Sequence, residues 1–278
     1  MSTVALAATA TADSRGGLVL ALARQEARRL LLHPVALLAF GFYVVAVAVQ
    51  WPGWSPRTTF EATCLTLSFF PGVPLILAAN LAATREHRAG SDELLAPLPG
   101  RAQDRWAALS LAALAPALLG VALQLTLHAA NLAAGRYPGA VEGAADVVAP
   151  DLWQLLAGPV TLLGACLLGS ALGLWLPGRT AAVVAIVALV VADAWVEAKP
   201  SVQLLGLAVG WADWGVSSDA WVGQIGGSSG RHLAYLLALC GLAAGAGWLK
   251  VAHRRRGPLL AGAGFLLAAA LAGVAQLP

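Results

Sequence analysis

Apolar stretches long enough to cross a membrane recur along the chain, separated by short polar breaks. They lie near 34–52, 60–83, 106–134, 152–177, 180–198, 232–250 and 258–277. A hydrocarbon core of ~30 Å takes about 20 helical residues, and a helix satisfies its own backbone hydrogen bonds in lipid. The pattern predicts an all-α fold, a polytopic transmembrane helical bundle. Two stretches break the rhythm. Residues 17–32, GLVLALARQEARRLLL, set Leu18, Leu22, Leu30 and Leu31 against Arg24, Glu26, Arg28 and Arg29. That pattern suits an interfacial amphipathic helix over 17–33, or a plain basic lead-in to the first span. Residues 199–230 are cut by Gly206, Gly210, Gly215 and Gly223 into apolar pieces too short to cross. They suit a re-entrant outer segment or an outer loop with interfacial tryptophans.

Composition agrees: 59% of residues are hydrophobic and 11% charged, against about 25% charged in soluble domains. No clustered basic face lies outside the short loops, so nucleic acid is not an expected partner. Residues 1–16, rich in alanine and lacking the basic start of a secretory signal, read as a disordered cytoplasmic tail. Lysine and arginine in the short loops orient the bundle. With the N-terminus cytoplasmic, Arg57, Arg136, Lys199 and Arg231 fall outside and the other thirteen of seventeen fall inside. Trp51, Trp54, Trp153 and Trp195 then mark outer helix ends, and Trp106, Trp175 and Trp248 inner ones, at headgroup depth.

Candidate chemistry is sparse. No mid-bilayer position holds a charged residue or histidine, which disfavours an ion-coupled pump. Gln124, His128 and Asn131 on the third segment, with Glu61 and Asp193, cluster near outer ends and are the candidate pathway residues. The chain has no HExxH, no GxSxG and no GxxxxGK[ST], so it reads as a non-enzyme that cannot hold ATP by a phosphate loop. Cys64, Cys166 and Cys240 are odd in number, form no CxxC pair, and read as small buried side chains rather than disulfide or metal ligands. Pro71, Pro74, Pro116 and Pro159 are expected bend points. Gly169-x-x-x-Gly173 and Gly241-x-x-x-Gly245 are expected to seat close helix contacts.

One polar interruption stands out. Residues 84–105 read TREHRAGSDELLAPLPGRAQDR. Gly90-Ser91 looks like a helix start, with Ser91 as cap and Asp92 and Glu93 at the positive end of the helix dipole. Leu94, Leu95 and Leu98 give a small apolar face, and Pro97 and Pro99 end the helix after little more than a turn. So short a helix is unstable alone and suits docking into a groove on a cytosolic partner; a plain polar hairpin is the simpler alternative.

In this order of parts the chain resembles the type-two ATP-binding-cassette (ABC) exporter permeases, the small bacterial kind. LARQEARRLLLHP resembles their interfacial elbow helix, marked here by Arg24, Glu26, Arg28 and Arg29. Residues 84–105 resemble their coupling loop, carried by Arg88, Gly90, Ser91, Asp92, Glu93, Leu94, Leu95, Pro97, Leu98 and Pro99. Residues 199–230 are similar to the broken hairpin before their sixth span. The resemblance implies a six-span permease domain over 34–250, a homodimer or heterodimer of such subunits in the bacterial plasma (inner) membrane, and a separate cytosolic ABC ATPase holding ATP and Mg. This chain itself would bind no cofactor. It departs from the family at 251–278, a basic loop and a seventh transmembrane helix. The alternative is a non-catalytic polytopic membrane scaffold or immunity-type protein with no ATPase partner.

Overall fold

Polar caps and prolines set where the helices begin. His33 and Ser55 each precede a proline, and their side chains accept the backbone N–H of Val35 at 3.3 Å and of Thr58 at 3.2 Å. Proline at the first helical position sacrifices no hydrogen bond. Asp151 and Gln154 close a reciprocal capping box, and Ser228 caps the last long interior helix.

The computed structural model describes residues 2–90, 102–137, 148–178, 180–214 and 221–277. In chain order the helices are α1 (Ser2–Leu31), α2 (Pro34–Gln50), α3 (Pro56–Phe69), α4 (Gly72–Ala83) and the single turn α5 (Arg85–Arg88). They continue with α6 (Ala102–Ala112), α7 (Leu114–Ala133), α8 (Leu152–Trp175), α9 (Ala181–Glu197), α10 (Ser229–Val251) and α11 (Arg256–Gln276). Between α9 and α10 lie a 3-10 turn, Gln203–Leu205, and an antiparallel hairpin of β1 (Ala212–Trp214) and β2 (Trp221–Gln224). The class is all-α with this one hairpin.

Where the pattern predicts seven crossings, six stretches among the described residues are long and apolar enough: Pro34–Gly53, Pro56–Ala83, Ala102–Ala133, Leu152–Trp175, Ser229–Val251 and Arg256–Gln276. The shortfall is α9. Its 17 residues rise about 25 Å at 1.5 Å each, less than a ~30 Å core. One further boundary differs from expectation. Helix α1 starts at Ser2 rather than near 17, and the described part of 199–230, read from the sequence as a re-entrant segment or an outer loop, holds the 3-10 turn and the hairpin.

The prolines divide by position. Pro71 stands at the break between α3 and α4, and α6 gives way to α7 at Ala113, next to the carbonyl that the ring of Pro116 crowds. Pro74 falls in the first turn of α4, where a missing N–H costs nothing, and Pro159 sits inside a continuous α8.

Helix α8 is the axis of the core. Its Leu162, Cys166 and Leu167 pack with Leu67, Leu75 and Ile76 from α3 and α4. At Gly169 an added Cβ would run into the Ile76 backbone, and at Gly173 it would meet Ala83 and Thr84 at 3.0 Å. The second glycine pair works on the other side, Gly241 lying against the Phe265 ring of α11. Both close approaches are therefore seated inside one chain. Trp106 departs from the interfacial role expected of it: it is 1% exposed and packs against Gly247, where no side chain would fit.

Candidate functional site

The stems of the 84–105 loop grow directly out of two helix ends. Thr84 turns its hydroxyl back to Asn80 O at 2.8 Å, and Arg88 donates to Thr84 O at 3.4 Å and to Leu81 O, so the carbonyls left open at the end of α4 are capped. Gly90 then takes a positive φ of 64°, a turn that glycine makes without strain. The residues expected to form the coupling helix, Ser91, Asp92, Glu93, Leu94, Leu95, Pro97, Leu98 and Pro99, lie outside the described residues. On the return stem Asp104 occupies the first turn of α6, where the helix dipole favours a carboxylate.

Helix α1 ties both stems. Arg24, Arg28 and Arg29 are exposed, whereas Ala23 and Leu30 are buried. Glu26 shares their face, three residues after Ala23 and four before Leu30. Its carboxylate takes a bidentate pair from Arg85 on the outgoing stem, at 2.8 and 3.2 Å, and a third contact from Arg29 at 2.9 Å. Arg15 reaches Asp104 on the return stem at 2.6 Å. The Glu26 side chain is only 11% exposed, so its planar, charge-assisted pairing is held away from bulk screening. A cavity of about 520 Å³ opens between these parts, with Gln25, Glu26, Arg29, Arg85, His87 and Arg105 on its wall. These ion pairs join α1 to both described stems of the loop.

At the opposite end of the bundle the structure joins most of the candidate pathway residues into hydrogen-bonded packing. Asn131 accepts from Trp51 Nε1 at 2.7 Å and donates to Thr63 Oγ1 at 3.0 Å; Gln124 donates to the Thr63 carbonyl. His128 Nδ1 lies 2.9 Å from the Tyr137 hydroxyl, and Arg136 stacks 4.2 Å over Trp51 while donating to its carbonyl at 2.6 Å. Gln124 and Asn131 are buried to 1% and 0% exposure, so they pin α7 to α3. Glu61 pairs with Arg57 one turn away at 3.1 Å. None of the five candidates lines the 520 Å³ cavity, and Asp193 lines another of about 410 Å³ among α3, α4, α8, α9 and α10.

A third cluster has no sequence signal that pairs its members. His232 Nδ1 lies 3.2 Å from Leu204 O and 3.1 Å from Gln276 Oε1, and both partners are acceptors, so this nitrogen carries the proton. Gln276 Nε2 donates to Leu204 O at 2.7 Å and the Tyr235 hydroxyl to Leu205 O at 3.2 Å. Together with Asp193, which accepts the Leu207 N–H at 2.6 Å, they hold the 203–207 turn on the ends of α9, α10 and α11. Among the described residues no group of three His, Cys, Asp or Glu could hold a metal ion. No protein-family model matches the chain, and no match was found among curated proteins or among solved structures.

Proposed function

We propose that the chain is the membrane-spanning permease subunit of an ABC transporter, an exporter of the bacterial inner membrane, worked by a separate cytosolic ATPase that docks on 91–99. The observation that carries this reading is the double tie of α1. A docked knob can tilt its spans only if its stems are anchored, and Glu26–Arg85 and Arg15–Asp104 anchor one stem each. The empty catalytic inventory and the missing phosphate loop favour an engine on another polypeptide.

The topology that goes with this function has a cytoplasmic N-terminus and counts α9 as a seventh crossing. Support comes from where the ends of α9 lie. It follows closely on Trp175, which Lys250 approaches to 5.0 Å at the end of α10, and its far end bonds the 203–207 turn. On this reading the 17 residues of α9, which alone fall short of a ~30 Å core, complete the crossing together with the chain that joins them to α8 and to the 203–207 turn. Counting it also brings Arg254, Arg255 and Arg256 to the side of α1 and the 84–105 loop, as the positive-inside rule favours.

The test is affinity purification of the tagged chain from native membranes with an ATPase assay on the product. The expected result is a co-eluting ATPase whose hydrolysis is lost, together with the association, when Leu94 and Leu95 are both changed to aspartate. An intact complex with an unchanged hydrolysis rate after that double change would remove the coupling assignment.

A further inference from the structure

A second cavity, of about 410 Å³, lies among α3, α4, α8, α9 and α10, within the apolar spans. Gly72, Gly164 and Ala165 line it, and Val190 and Leu239 complete an apolar wall. Its size is within the range of small-molecule sites. The neutral polar groups on the wall are engaged within the chain. Thr161 Oγ1 lies 2.9 Å from Ser68 Oγ and 2.6 Å from Gly158 O, and the Cys240 thiol donates to Val160 O at 3.5 Å.

Asp193 is different. It is the charged residue among the described lining, its carboxylate accepts one backbone N–H, from Leu207, and it enters none of the salt bridges among the described residues. Asp193 is half-buried near the C-terminal end of α9, and a carboxylate beside an apolar wall with no counter-charge among the described residues attracts a cation. From this geometry we infer that the cavity binds an amphiphilic cation, an apolar body carrying an amine or other onium charge, with the charge against Asp193. Charge complementarity selects this occupant over a neutral lipid chain, which would leave the carboxylate unmatched. Such a ligand gives the proposed permease a substrate class. Binding itself does not depend on the permease reading; only transport of the bound cation rests on it. Binding is measured with no ATPase present, so loss of one conclusion is distinguishable from loss of the other.

The experiment uses the full chain in phosphatidylcholine nanodiscs and two probes of nearly equal shape and opposite charge, tetraphenylphosphonium and tetraphenylborate. The expected result is saturable binding of the cation and not of the anion. Asp193→Asn weakens the cation on the order of tenfold, the range of one charge-assisted contact. Val190→Trp, at a partly exposed wall position, blocks the mouth and abolishes saturable binding while leaving Asp193 in place. Absence of saturable cation binding overturns the inference, and so does equal binding of the two probes, which would mark a groove for lipid chains. If Asp193→Asn does not fold, the comparison of probes on the unaltered chain and on Val190→Trp decides by the same criteria.

Discussion

Glu26 shows how far a single residue can depart from its local pattern. On a helix flanked by exposed arginines it reads as one more solvated charge, yet its carboxylate turns inward to Arg85, 59 positions away. A double-mutant cycle with Glu26→Gln and Arg85→Gln, read by thermal unfolding in detergent, should return a coupling energy of about 1–2 kcal/mol. That is more than an exposed pair gives and less than a fully buried one, since Arg85 is still 38% exposed. A coupling near zero would mean that the tie transmits nothing. The caps at Ser55 and Asp151 were not singled out in the sequence, although each stands before an apolar run in a pattern that local rules cover. Arg15 with Asp104, or His232 with Gln276, were not legible, because partners 89 and 44 positions apart leave no periodicity. Gln124 and Asn131 were legible as polar outliers but not as packing residues, since their partner Thr63 looks like any helical threonine.

At the scale of elements, length and backbone approach decide what composition cannot. The apolar runs over 34–52, 60–83, 106–134, 152–177, 232–250 and 258–277 foretell six of the long helices, because twenty apolar residues have few other options. The run over 180–198 includes loop residues at both ends, and the helix within it has 17 residues. Pro71 reads correctly as a break, while at Pro159 the helix α8 continues without interruption. The small-residue pairs gain meaning only from their neighbours. Gly169→Val would force α8 away from the Ile76 backbone and should cost about 1–3 kcal/mol by overpacking, seen as a lower melting temperature of the purified chain. Gly264→Ala, with nothing within 4 Å of the added carbon, should leave it unchanged. Equal effects of the two changes would mean that α4 and α8 are not in close backbone contact.

For the whole molecule, the ties of the loop stems lie at one end of the bundle and the 203–207 turn at the other. Permease function needs those ends on opposite sides of the membrane, with the loop in the cytoplasm and α9 crossing between them. Labelling of intact cells with a membrane-impermeant maleimide measures this directly. Ala89→Cys and Ser201→Cys are suitable positions, because both residues are exposed and the native Cys64, Cys166 and Cys240 are buried. A permease predicts labelling at position 201 in intact cells and at position 89 only after permeabilisation. Labelling of position 89 from outside, or protection of both positions until the membrane is opened, would contradict it.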